Sequence, residues 1–221
     1  MDVYEALYTT RAMRRVKPDP IPEDAQARIL DAAIRAPSGG DSQGWRFLIV
    51  DDPGVIAELA PLYRECMERL FSTFYGPALE AAQAAPEEGN NPKFLKMYRS
   101  AKHMGDHFEG YPLLLGAFAQ GDQSGSSIFP AVWNAMLAAR AEGIGSAITS
   151  LLAFERDRAF DILGVPKDDD WHFACLVPMG YPTGRWGVAP RRPVHEVSFK
   201  NQWGQPLGFS VPEPLWAPDS P

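Results

Sequence analysis

Three guanidinium groups fall within five residues, at Arg11, Arg14 and Arg15, and a second basic pair, Arg191-Arg192, stands near the other end of the chain, just before Pro193. Arginine carries five donors in a planar fork that matches phosphate oxygens, and its charge is not titrated away. Convergence of the two clusters would make a phosphate site. A solvated helix end, where cations meet the negative pole of the helix dipole, would use the same residues, and spacing alone leaves both open. A second candidate is the loop Ala36-Pro37-Ser38-Gly39-Gly40-Asp41-Ser42-Gln43-Gly44-Trp45. Its Gly-Gly pair and small hydroxyls let backbone N–H groups approach a flat polar ligand closely, although a plain helix-to-strand turn has the same composition.

The stretch Gly143 to Ser150 (GIGSAITS) begins like a dinucleotide fingerprint. It lacks the third glycine and follows a helix instead of a strand, so a Rossmann site is excluded. His103 and His107, spaced i, i+4, would share a helix face, but Met104, Gly105 and Asp106 between them supply no zinc-protease pattern and no third ligand suggests itself. No metal is expected. The chain has no G-x-S-x-G, P-loop or kinase signature, which removes the common hydrolase and nucleotide-triphosphatase readings.

These residues need elements to hold them. Helical spacing predicts a short helix from Asp2 to about Thr10, stopped by Lys17-Pro18-Asp19-Pro20, and a second from Glu23 to Ala36 with Pro22 at its start. Trp45 to Val50, Pro112 to Ala119 and His172 to Met179 read as apolar strands. Val55 to Phe74 reads as a helix, as does Glu155 to Leu163. Ile128 to Glu142 is apolar around most of its circumference and so is expected at the centre, ending at Gly143. Gly76 to Gly110 has weak periodicity and is expected to form a helical excursion or lid. From Thr183 onward an extended arm bearing Trp203 and Trp216 is expected to pack across another surface, such as a second subunit. The whole, residues 1–221, is expected to be one α+β domain with helices packed on a small sheet.

With 45% hydrophobic residues in 221, the chain can bury a sizeable core. Its formal net charge of −7, from 21 basic and 28 acidic side chains, argues against general attraction to nucleic acid or anionic membrane. Cys66 and Cys175 form no C-x-x-C pattern and are expected to be buried thiols in a reducing compartment. With no apolar run of about 20 residues and no signal-like N-terminus, a cytoplasmic location is expected.

Taken in order, these pieces resemble the FMN-dependent nitroreductase family. TTRAMRRVKPDPIP is similar to that family's R-R-S-x-R-x-F-x-P-D-P-V-P opening, and APSGGDSQGWRFLIV to its A-P-S-x-x-N-x-Q-P-W-x-F-x-V-V segment. AVWNAMLAARAEGIGSAITSLL is similar to the A-x-x-N-x-x-L-A-A-x-x-x-G-L-G block, and GYPTGRWGVAPRRPVHEV to a common ending. The chain departs from the pattern at Thr10, Ala12, Met13, Asp41 and Gly44.

The resemblance implies an intertwined homodimer with FMN at the subunit interface. Arg11 and Arg14, in one segment with Ala12, Met13 and Arg15, would meet the phosphate, the ribityl chain or the N1/O2 edge of the flavin. Pro37, Ser38 and Gly39 would come from the partner subunit, Gln43 would face the ribityl region, and Thr149 and Ser150 would lie near N5. Arg191, with Arg192, would complete the phosphate site. The implied reaction is ping-pong transfer from NAD(P)H to small aromatic or conjugated acceptors such as nitroaromatics, quinones or enones, with no protein nucleophile or general base. A specialised flavin reaction (dehalogenation, azoline oxidation or flavin fragmentation) and non-catalytic FMN storage stay open as alternatives.

Overall fold

The computed structural model describes residues 1–217. Packing divides them into two units, residues 12–184 and residues 1–11 with those from 185 onward.

The larger unit is built on a four-stranded antiparallel sheet of order β1-β2-β4-β3, with β1 at Trp45–Val50, β2 at Leu113–Ala119, β3 at Gly145–Ser146 and β4 at His172–Gly180. Every residue of β2 is buried, as a central strand covered on both faces must be. Its alternation sorts the core. Leu113, Leu115, Ala117 and Ala119, with Cys175, Val177 and Met179 of β4, point to one face, and Leu114 and Leu176 to the other. Helices α2 (Glu23–Ala33) and α6 (Ile128–Ala141) cover the first face, burying Ile29, Ala33, Val132 and Ala135. Helices α3 (Pro53–Arg69) and α7 (Arg156–Leu163) cover the second through Ile56, Leu59, Tyr63 and Ala159. This α+β architecture is the one the sequence predicts.

Helix α6 starts where its sequence tells it to. The Asp122 carboxylate accepts from the backbone N–H groups of Ser127 at 2.9 Å and Ile128 at 2.8 Å, satisfying donors that have no partner inside the helix. Burial pushes that carboxyl up, but hydrogen bonds from Ile128, Ser127 and Ser126 outweigh it and hold the group below its ordinary value.

Residues 76–110, where periodicity is weak, form two helices, α4 (Gly76–Ala84) and α5 (Asn91–Asp106), each with proline in its first turn. Helix α5 is anchored by few apolar side chains. Tyr98 meets Phe71 edge-on at 4.7 Å, and Met104 is buried. Its many cations mask that stripe in the sequence. Before α4, α3 continues as a π-helical turn at Leu70–Phe74.

In the smaller unit α1 (Val3–Thr9) is capped by the Asp2 carboxylate, which accepts from the Glu5 N–H at 2.8 Å. The arm returns to it, with Ala189 N–H donating to Tyr8 O at 3.0 Å and Trp216 lying 5.7 Å from the Tyr8 ring. Trp203 is 91% exposed. Among the described residues no helix is long and apolar enough to cross a membrane. Cys66 and Cys175 are free and buried, and burial pushes their thiols up to about 11 and about 12.

Candidate functional site

The segment Ala12–Val16 runs extended, held at both ends by pairing with neighbouring chain, and Pro18 and Pro20 bar a helix from following it. Ala12 bridges Ser146 in parallel, with Met13 N–H donating to Ser146 O at 3.0 Å, and Val16 bridges Pro182. Two glycines permit this approach. A Cβ on Gly145 would lie 2.7 Å from the Met13 Cβ, and one on Gly180 would lie 2.7 Å from the Val16 Cβ. The tertiary structure thereby brings the first arginine segment beside the Gly143–Ser150 block, as neighbours across the end of the sheet.

Alternation along the segment buries Met13, half-buries Arg14 and exposes Arg15. Arg14 is held twice. Its carbonyl accepts from the Tyr111 hydroxyl at 2.8 Å, and its Nη1 donates a long hydrogen bond of 3.4 Å to Ser100 Oγ on α5. Neither Arg14 nor Arg15 has a carboxylate partner among the described residues. Burial raises the Tyr111 hydroxyl, with Tyr63 adding to the effect and Arg14 opposing it.

Thr149 is buried, and its backbone is committed to Leu176 in both directions, at 2.9 and 2.8 Å. Its hydroxyl lies 3.0 Å from that of Tyr63 and accepts from Leu151 N–H at 3.5 Å. Burial pushes the Tyr63 hydroxyl up to about 12, against the lowering effect of Thr149. Ser150 is exposed and opens the turn at Leu151–Glu155.

The glycine loop is tightly self-bonded. Ser38 Oγ accepts from Gln43 N–H at 3.1 Å, and Gln43 Nε2 donates to Asp41 Oδ1 at 2.9 Å. Gly39 N–H donates to Ser127 Oγ at 3.2 Å, and Pro37 leads into the turn. Gly40, Asp41 and Gln43 all have positive φ, at 58°, 52° and 48°. Two of the three are not glycine, so the loop stores strain that its hydrogen bonds must offset. Gly44 is required where it stands, since a Cβ there would meet Gln120 O at 2.6 Å.

The two groups of residues in the larger unit are not brought together within one chain. Gly39 is fastened to Ser127, the residue preceding α6, whereas Met13 is fastened to Ser146, just past the other end of that helix. Fourteen residues of helix separate them, about 21 Å at 1.5 Å per residue. The remaining sequence candidates belong to the smaller unit. Arg11 Nη2 donates to Arg185 O at 2.8 Å, and Arg191 Nη1 to Pro190 O at 2.9 Å. Arg191 and Arg192 line a cavity of about 640 Å³ with Leu7, Tyr8 and Leu215. Thr10, next to Arg11, is buried with a hydroxyl that has no partner among the described residues.

Sequence reasoning missed Tyr63, Ser100 and Tyr111. The tyrosines carry no local signal beyond apolar periodicity, and Ser100 lies in the stretch whose periodicity is weakest. His103 and His107 stack on each other with ring centroids 4.1 Å apart.

The chain is 29% identical over 202 residues to a protein named NADH dehydrogenase from Thermus thermophilus, covering 89% of this chain and 95% of the relative. It is 29% identical over 186 residues to the 5,6-dimethylbenzimidazole synthase of Rhodobacter capsulatus, covering 80% and 82%. Among solved structures it is similar to an iodotyrosine deiodinase bound to FMN and 3-iodo-L-tyrosine. The TM-score is 0.66, with 21% identity over 86% of this chain and 95% of the other. A model of the Nitroreductase family matches residues 7–181, which spans the extended arginine segment, the glycine loop, the whole sheet and the block after α6, and on that extent of match the chain belongs to the Nitroreductase family.

Proposed function

We propose that this protein is an FMN-dependent oxidoreductase that carries electrons from NAD(P)H to small, flat, electron-poor acceptors. The observation that carries the reading is Arg14. It is a half-buried cation with its backbone fixed by Tyr111, its side chain touching Ser100, and no carboxylate partner among the described residues. A cation removed from water in this way needs an anionic or electron-rich ligand to offset its desolvation. The residues present fit FMN. Arg14 and Arg15 offer forked donors, and Gly39 and Gly40 leave one side of their loop open.

FMN, when bound, supplies hydride chemistry, accepting from NAD(P)H and delivering to a nitroaromatic, quinone or enone. The chain's own contribution is placement and charge. Arg14 sets positive charge where negative charge develops. Ser150 supplies polar groups free of the sheet, while Thr149, tied to Leu176 and Tyr63, holds Ser150 in position. Ala12 and Met13 would line the cofactor, Met13 with its own N–H already bonded to Ser146. No side chain is required as nucleophile or general base.

The site is proposed to be shared between two copies of the chain. The loop of Pro37, Ser38, Gly39 and Gln43 and the Arg14 segment lie at opposite ends of α6, so in this reading one copy supplies the loop and the other the arginines. The apolar helix α6 carries an exposed i, i+4 pair, Phe129 at 43% and Trp133 at 36%, suited to burial by a second copy. The roles assigned to Arg11, Arg191 and Arg192 belong to the same proposal, to be tested by changing each to Gln. A cytoplasmic location, also proposed, rests on the two free, buried cysteines.

The test is the visible spectrum of the purified protein, with the released chromophore compared with FMN. A yellow protein bleached by NADPH and recoloured by menadione supports the reading. One that NADPH cannot bleach points to FMN storage or a specialised flavin reaction. A protein that stays colourless after soaking in FMN refutes the reading.

A further inference from the structure

Helix α5 carries an unusual distribution of charge for an acidic protein. Lys93, Lys96, Arg99 and Lys102 stand against a single carboxylate, Asp106. The spacing of Lys93, Lys96, Ser100 and His103, in steps of three and four, places all four on one helix face, with His107 just past its end. The other face bears Phe94, Tyr98, Ala101 and Gly105. It packs on α3 and the turn after it, through Tyr98 against Phe71 and Gly105 within reach of Met67.

Ser100 lies at the centre of the basic face, and it is the residue that Arg14 Nη1 touches. The face is therefore continuous with the Arg14–Arg15 segment. The field of Arg15 also reaches His103, where burial first, then His107 and Arg15, lower the tendency to protonate. Lys102, which the spacing turns away from this face, is neutralised by Asp106 at 2.7 Å. Lys93, Lys96, Arg99, Arg14 and Arg15 have no such partner among the described residues. Lys93 and Lys96 on this face, Arg14 at Ser100 and Arg15 within reach of His103 are four cations of one side without carboxylates, so an anion that settles beside them is attracted by all four.

We propose that this face binds the anionic oxygens, phosphate, sulfonate or carboxylate, of a substrate that meets the flavin beside Arg14. The inference rests on the flavin reading above. The anion has two possible sources, the 2′-phosphate of NADPH or an acidic group on the acceptor, and ping-pong kinetics separate them because each substrate has its own kcat/KM.

The experiment uses the FMN-loaded protein and a double variant, Lys93→Glu with Lys96→Glu, both at exposed positions. The kcat/KM ratio of NADPH to NADH is measured, as is that of 1,4-naphthoquinone-2-sulfonate to menadione. The dissociation constants of NADP+ and NAD+ are measured by calorimetry as a readout independent of turnover. One of the two anionic preferences is expected to fall about tenfold in the variant and to weaken with added salt. Lys167→Glu, a charge reversal elsewhere that also breaks an ion pair with Asp161, is expected to leave both ratios in place. A fall in the NADPH ratio, with weaker NADP+ binding, assigns the anion to the donor; a fall in the sulfonate ratio assigns it to the acceptor. If FMN is bound and neither preference changes by more than about twofold, the inference is overturned while the flavin reading survives. Failure to take up FMN overturns both.

Discussion

Tyr111 donates its hydroxyl hydrogen to the carbonyl oxygen of Arg14 at 2.8 Å, across 97 residues of chain. A buried ring just before the central strand thus holds the backbone of the one half-buried arginine in the Ala12–Arg15 segment. Tyr111→Phe removes the donor and leaves the ring. The expected cost is about 1 kcal/mol of unfolding free energy, together with weaker FMN binding as Arg14 loses its fixed backbone. Urea melts and flavin-fluorescence titrations read the two effects. If stability falls while FMN affinity is unchanged, Tyr111 does not position Arg14 for the cofactor.

Gly145 and Gly180 let the arginine segment lie against the sheet. A methyl group on Gly145 meets the Met13 Cβ at 2.7 Å, and one on Gly180 meets Val16 at the same distance. Either glycine-to-alanine change is expected to cost about 1–3 kcal/mol by overpacking and to loosen residues 12–16. Trypsin should then cut after Arg14 or Arg15 faster than in the parent. Gly110→Ala, where the added Cβ meets nothing within 4 Å, is the control. Equal digestion of all three would show that the segment does not depend on that contact.

Asp122 begins α6, and through Ser127 the same helix end holds the glycine loop. Asp122→Ala should cost about 1–2 kcal/mol, the usual value of a helix cap. The folded carboxyl lies below its ordinary value, so the native state favours the ionised form. The contribution is present above the unfolded value of 3.8 and is lost as pH falls through the folded one. The parent and Asp122→Asn should therefore converge in stability at acid pH. A gap that stays constant from neutral pH to pH 3 would sink this account.

Alkali should destabilise the protein for the opposite reason. Burial raises the Tyr63 hydroxyl from 10.0 to about 12 and the Cys175 thiol from 9.0 to about 12. A raised acid is held neutral in the native state, so its contribution is complete below the unfolded value and disappears as pH rises through the folded one. The urea midpoint should fall between pH 9 and 12, less steeply in Tyr63→Phe. A flat profile over that range contradicts the burial of these groups.

Much of the framework was legible because it is written in local pattern. Trp45–Val50 has the bounds its apolar run predicts, and β2 and α6 lie within one residue of theirs, since a strand or helix covered by others reads as an apolar run between breakers. Helix α2 stops at Ala33, short of the predicted Ala36, because the chain turns ahead of Pro37. The stretch from Gly76 to Gly110 was legible as a helical excursion, but its division into α4 and α5 was not. They bury few side chains, and the basic face of α5 dilutes the period that would have revealed it.

By itself the sequence determined the class of fold, the extended exit after Arg15, the glycine-rich turn before β1 and the guanidinium groups, all consequences of a residue and its near neighbours. Only the tertiary structure decided that Arg14 meets Ser100 and Tyr111, that Thr149 is tied to Tyr63, and that the glycine loop and the arginine segment stand at opposite ends of α6. Those relationships join residues 86 or more positions apart. They arise from how helices of given length pack on a sheet of given register, and no local stretch of chain records that.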